Sequence, residues 1–233
     1  MSEKMNKKKN SDFKLVFQTE CEDNVSRGVY SLAIGLSVIF GLFFSYLIAQ
    51  IMMKTNVLYT NTQAFLIGGF IFYLVAAFGG SYIMNKSEKP AICFLGFLLM
   101  AAGTALILTI VLSAYTQTSI GNAFLITMGI TAVMTVAATA FPNVFLSMGK
   151  MLGLSLFAVI LIEIVVSLIF RVQQQVTDYI VILIFTGFIG YDWALAQTRP
   201  ATITNAIRSA ASIYIDVINI LIRVLSIIGK RKD

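Results

Sequence analysis

The sequence predicts an all-α integral membrane protein, a seven-transmembrane-helix bundle with a central C-terminal helix. Three observations predict its class. Of 233 residues 58% are hydrophobic and only 12% charged, too few charges for a water-facing globular surface. Charges are absent over long runs: none from Gly28 to Met53, from Thr55 to Asn85, or from Pro90 to Gly149. A hydrocarbon core of about 30 Å takes about 20 apolar residues per helix, so these runs hold one, one and two spans. Backbone groups cannot stay unpaired in lipid, so the spans are helices rather than open sheet.

In order, the expected spans are Val29 to Met53, Gln63 to Met84, Ala91 to Tyr115, Ala123 to Phe141, Leu146 to Phe170, Tyr179 to Gln197 and Ile207 to Gly229. Residues 1–28 read as a cytoplasmic tail, 29–229 as the transmembrane domain and 230–233 as a short basic tail. The first apolar run follows a long mixed-charge segment and exceeds the h-region of a signal peptide, so it is a true span. The joints have chemical causes. Asn56 to Thr62 is polar, MNKSEKP puts a proline at a helix start, SAYTQTSIGN is rich in turn residues, and FPN breaks the fourth helix. Short connections make neighbouring helices antiparallel. The seventh segment is the most polar and has two readings. Its 23 residues favour a full crossing, whereas a re-entrant course would return KRKD to the cytoplasm.

Six of the 17 basic residues lie in the first 27 positions (Lys4, Lys7, Lys8, Lys9, Lys14 and Arg27), mixed with five acids. This is a tail obeying the positive-inside rule rather than a nucleic-acid arm. With the N-terminus inside, Lys86, Lys89, Lys150, Arg199 and Arg208 join them, against Lys54 and Arg171 outside. The expected location is the cell membrane, multi-pass, with a cytoplasmic N-terminus. Histidine is absent, which removes imidazole triads and the commonest metal ligand. Cys21 and Cys93 form no CxxC, and there is no HExxH or GxSxG, so neither a disulfide framework, a zinc site nor an enzyme is indicated. Small residues recur within spans, including Gly79, Gly80 and a GxxxG at Gly149 and Gly153, as close helix packing requires.

The informative residues are the ionisable ones inside spans: Glu163, Asp192, Asp216 and Arg223. Each costs on the order of 3 kcal/mol on insertion scales, so each calls for a partner or a function. Asp178, Arg171 and Arg208 sit at span ends, within reach of water. Asp192 and Asp216 lie twelve residues on either side of Thr204. In an antiparallel hairpin, equal distance from the turn means similar depth, so the two can face each other. Two carboxyls in contact away from bulk water cannot both ionise cheaply and tend to share a proton. Such a pair is a proton-dependent latch, or, with oxygen ligands only, a site for a hard cation such as Ca²⁺. The structural alternative pairs Asp216 with Arg223 two turns along its own helix. Glu163 has no sequence-local partner and reads either as part of a cation path or as a protonated acid bonded to a neighbouring helix. Arg208, Ser212, Asp216, Asn219, Arg223 and Ser226 recur every three or four residues, forming one polar face on a helix otherwise of Ile, Val and Leu. That face belongs to an interfacial helix or, given its few lysines, to a central helix beside a cavity.

IGYDWALAQ followed by AASIYIDVINILIRVLSIIG resembles the paired signature of the Bax inhibitor-1 family (transmembrane Bax inhibitor motif proteins), a YD helix followed by SLYLDxINLFxxLL. The matching residues are Tyr191, Asp192, Ser212, Tyr214, Asp216, Asn219 and Leu225. The resemblance covers the whole topology and is most specific from Gly187 onward. It implies a seven-helix bundle with the last helix surrounded by the other six. It also implies a pH-sensitive calcium leak in which the two aspartates share a proton and gate the cytosolic end of a pore. Asp192 and Asp216 carry over onto those roles and are the possible Ca²⁺ ligands, with Ca²⁺ as the transported or bound ion and no other cofactor. Where the bacterial pattern has a latch arginine at the end of the second helix, this chain has Asn85 and Lys86. Lys86 is the candidate substitute, although a lysine point charge is not a forked guanidinium. Asn219 and Arg223 are candidates for the same network. Glu163 has no counterpart in that pattern.

The expected function is a pH-sensitive calcium leak channel whose partners are calcium ions, protons and the lipid bilayer. The alternative is a membrane-embedded regulator of a protease or other protein partner, without ion transport. A coupled cation/proton exchanger is a third reading, for which the sequence offers no inverted repeat or broken-helix pair.

Overall fold

The computed structural model describes residues 24–55, 62–170 and 175–232. The described residues form seven helices: α1 Arg27–Lys54, α2 Thr62–Lys86, α3 Pro90–Ser113, α4 Gln117–Ala140, α5 Pro142–Phe170, α6 Gln175–Thr198 and α7 Ile203–Ile228. All seven are long and apolar enough to cross a membrane. Most of the expected N-terminal tail, Cys21 and Arg171 lie outside the described residues.

Local chemistry sets the helix starts. Ser26 Oγ accepts the Val29 N–H at 3.3 Å to cap α1, and Pro90 opens α3 with its fixed φ. α4 begins at Gln117, six residues before the expected span, because Thr116 Oγ1 accepts the Ser119 N–H at 3.4 Å and turns a loop-like composition into a helix cap. α4 and α5 are separated by Phe141 alone (φ −128°, ψ 55°), after which Pro142 starts α5. Joints this short make the chain alternate in direction. One end of the bundle, here called proximal, holds the start of α1; the other is distal.

α7 packs along its length against α1, α3, α4 and α6, while α2 and α5 lie in an outer layer, α2 mainly on α3 and α5 mainly on α6. The expected ring of six around the last helix is therefore four close neighbours and two outer helices. The core is built from Tyr30 and Ile34 of α1, Phe97 and Leu108 of α3, Ile189 of α6, and Tyr214, Ile220 and Leu225 of α7. Large apolar side chains such as Phe78, Leu125, Leu154 and Leu168 point outward, where hydrocarbon rather than water would meet them.

Small residues bring backbones together only where neighbours lie. A Cβ on Gly80 would meet the carbonyl of Gly96, and one on Gly103 would meet Ala76, so α2 and α3 touch almost backbone to backbone. Of the GxxxG pair, Gly149 is filled by the ring of Tyr191, whereas Gly153 faces open space.

The seventh helix crosses fully. Its C-terminal residues pair with the α3–α4 connection: the Thr116 N–H donates to the Lys230 carbonyl at 3.0 Å, and the Lys232 N–H to the Ala114 carbonyl at 2.9 Å. The basic tail thus lies at the distal end, opposite the start of α1, which removes the re-entrant alternative.

Candidate functional site at the α6–α7 hairpin

α6 ends at Thr198 and α7 starts at Ile203, so the turn is not centred on Thr204. The register nevertheless is. Residues 199–202 continue without helix beside the first turns of α7, where Arg199 Nη1 donates to Ser209 Oγ at 3.1 Å and Asn205 Nδ2 to the Pro200 carbonyl at 3.1 Å. The Arg199 N–H still donates to the Ala196 carbonyl at 3.1 Å, and the Thr202 N–H turns back to the Pro200 carbonyl at 2.9 Å, so a short non-helical turn links the two helices. The Thr202 side chain then accepts the Asn205 N–H at 3.2 Å and caps α7.

This register brings Asp192 and Asp216 together: their carboxyl groups are within hydrogen-bonding reach across the α6–α7 interface. Asp216 is 6% exposed, and its Oδ2 has no hydrogen-bond donor among the described residues. Arg199 supplies the positive charge that acts on Asp192. The flanking aromatics fix the two helices. Tyr191 packs on Gly149 of α5, and Trp193 Nε1 donates to Thr139 Oγ1 of α4 at 2.8 Å. Tyr214 is fully buried, edge-on to Phe97, with its hydroxyl 2.6 Å from Ser45 Oγ. Ser45 Oγ in turn donates to the Ala101 carbonyl at 3.0 Å, which leaves the Tyr214 O–H as the donor to Ser45. Tyr214→Phe keeps the ring and removes one buried hydrogen bond, so thermal unfolding in detergent should show a loss of about 1 kcal/mol with the helix content unchanged.

Lys86 does not take the latch position. Its Nζ donates to the Tyr82 hydroxyl at 3.0 Å and lies over that ring on the exposed side of α2. The arginine that ties α7 to the end of α2 is Arg208, which donates to the carbonyls of Met84 and Ser87 at 2.8 Å each and to Glu88 at 3.1 Å. It comes from the helix opposite to the one expected to provide it, and it binds carbonyls rather than either aspartate. Beside it a cleft of about 590 Å³ opens, lined by Ser81, Asn85, Arg199, Arg208 and Ser212.

Arg223 does not pair with Asp216. It lies one to two turns from the distal end of α7, where Nη1 sits 2.6 Å from Asp178 Oδ1 and 2.9 Å from Glu163 Oε1. Ser226 Oγ donates to Asp178 Oδ2 at 2.8 Å. Glu163 therefore has its partner two helices further along the chain, and Asp178, expected to reach water, is 5% exposed. Asn219 donates to the Ile215 carbonyl of its own helix at 2.8 Å. The sequence carried one signal for this second cluster. Arg223 and Ser226 share a face of α7, whereas the register centred on Thr204 would set Asp178 level with Lys230, so the shared face and not the register was that signal.

Cys93 is buried, its Sγ directed at the carbonyls of Met84 and Thr204. No group of three or more His, Cys, Asp or Glu side chains that could hold a metal ion forms among the described residues.

Comparison with known proteins agrees with this architecture. The chain is 27% identical to the inner membrane protein YbhL of Escherichia coli (strain K12) over 187 residues, covering 76% of this chain and 79% of that protein. It is 26% identical over 211 residues to an uncharacterized membrane protein of Streptococcus pyogenes serotype M3, covering 87% and 90%. A protein of Borreliella burgdorferi is 25% identical over 217 residues, covering 88% and 90%. No solved structure matches the chain. A family model described as "Inhibitor of apoptosis-promoting Bax1" matches residues 23–233, the entire seven-helix region with its paired aspartate motifs. The chain is thus a multi-span membrane protein that belongs to the Bax inhibitor-1 family.

Proposed function

We propose that this protein is a passive, pH-sensitive calcium leak gated by Asp192 and Asp216, with the proximal end and the N-terminus in the cytoplasm. The observation that carries this reading is the contact of the buried Asp216 carboxyl group with the partly buried one of Asp192 across the α6–α7 hairpin, with one oxygen of Asp216 lacking a donor among the described residues. Two such groups are held together by one shared proton. As the pH rises and that proton leaves, the pair carries two negative charges in a poorly solvated site. The charges then repel or take a hard cation between them, and Ca²⁺ with oxygen ligands is the fitting class. Acid therefore favours the closed hairpin, and flux rises with pH. The cleft beside Arg199 and Ser212 supports access from the proximal side. The excess of Lys and Arg in the N-terminal segment and at the proximal joints supports that side as cytoplasmic.

The test is Ca²⁺ flux into dye-loaded proteoliposomes across pH. Wild type should show flux that rises by up to about tenfold per pH unit, the limit for release of one shared proton. Asp192→Asn together with Asp216→Asn removes both titrating carboxyls and should flatten the profile. Unchanged flux and an unchanged pH response in this variant would sink the mechanism. Stoichiometric co-purification of a membrane protease, with no flux at any pH, would favour a regulatory protein instead.

A further inference from the structure

α1 and α4 flank α7 without closing on one another, and the gap between them is a groove of about 740 Å³ in the distal half of the bundle. Phe43 of α1 and Leu125 of α4 form its walls, and Leu112 of α3 and Leu221 of α7 its floor. Its lining is almost wholly apolar except at the distal rim, where Gln117 and Asn122 stand. From Gln117 to Leu125 the groove runs about 12 Å along α4, toward the middle of the bilayer. Gly121 helps to hold it open: it lines the groove, and a Cβ built there meets nothing within 4 Å.

The charges at the rim identify the occupant. The Lys230 N–H donates to Ser119 Oγ at 2.9 Å, so the C-terminal tail is fastened to the first turn of α4 next to Gln117. Lys230, Arg231 and Lys232 are exposed there, and Lys54 ends α1 at the same level of the bundle. An apolar slot open to hydrocarbon, capped by amide groups and then by fixed basic residues, has the polarity sequence of a phospholipid: chain, ester region, phosphate. We propose that this groove binds one anionic phospholipid of the distal leaflet, with an acyl chain against α7 and the phosphate at the basic tail.

Native mass spectrometry of the full chain, released from nanodiscs of equal phosphatidylglycerol and phosphatidylcholine with matched acyl chains, tests this. Wild type should retain one phosphatidylglycerol in preference. Gly121→Phe, which fills the slot, should lose it, while Gly129→Phe, on the same helix with equally open space but outside the groove, should not. Lys230→Gln, Arg231→Gln and Lys232→Gln together should weaken the preference by about fivefold per residue removed. The tail variant changes only exposed side chains, so it decides the matter even if Gly121→Phe does not fold. Equal retention of both lipids by wild type, or a preference untouched by the tail variant, would overturn the proposal. So would a lipid-free dimer that Gly121→Phe splits, which would assign the groove to a second copy of the chain.

Discussion

Arg223→Leu is expected to lower stability by about 3 kcal/mol or more, the scale for removing one partner of a buried ion pair. The guanidinium is shared by Glu163 and Asp178, whose side chains are 25% and 7% exposed, and its removal leaves two carboxylates near each other without that charge, Ser226 still donating to Asp178. The cost is the uncompensated charge rather than the lost pair itself, and this gives the prediction a second arm. Arg223→Leu combined with Glu163→Gln and Asp178→Asn should recover most of the loss, because no buried charge then lacks a partner. Thermal unfolding in a mild detergent, followed by circular dichroism, reads both. If the triple variant were as unstable as the single one, Arg223 would matter through its packing alone. Asp216 is not part of this cluster, so Asp216→Asn should leave the Arg223→Leu effect unchanged, as expected for distant independent sites.

Gly80→Leu should be at least as damaging, and Gly79→Leu should be tolerated. The two glycines are adjacent and look alike in the sequence. A side chain at Gly80 would be driven into the backbone at Gly96 and Met100, which cannot give way as a flexible side chain could. The α2–α3 pair would have to separate, at a cost of about 3 kcal/mol or more, the upper end of the range for overpacking. At Gly79 the nearest atom is Leu99 Cδ2 at 3.9 Å, an ordinary contact, and a leucine would extend toward lipid. Yield of monodisperse protein and its unfolding temperature separate the outcomes. Equal damage from both would mean that helix propensity, rather than the crossing, sets the requirement for glycine.

The aspartate pair was legible in the sequence because it depends on one hairpin. Position along two consecutive antiparallel helices sets depth, and Asp192 and Asp216 are equidistant from Thr204. The equality survived although α6 stops at Thr198, because the non-helical residues 199–202 lie beside the first turns of α7, with Arg199 on Ser209 and Pro200 on Asn205. The partners of Lys86, Glu163 and Arg223 were not legible. Each depends on how a helix is rotated about its own axis and which distant helix it meets. For Arg223 the acids come from α5 and α6, 60 and 45 positions away.

By itself the sequence determined six spans, their alternation, the polarity of the seventh helix and the level of the two aspartates, and left open whether that helix crosses. These follow from the length of apolar runs against the thickness of a bilayer, and from chain-local spacing. Only the tertiary structure decided which of two neighbouring glycines is a contact, which arginine ties α7 to α2, and on which side the basic tail lies. In water, burial separates the inner face of a helix from its outer face. In a bilayer both faces are apolar, so α2 and α3 carry almost no sidedness in their sequence, and packing alone selects the face that meets protein.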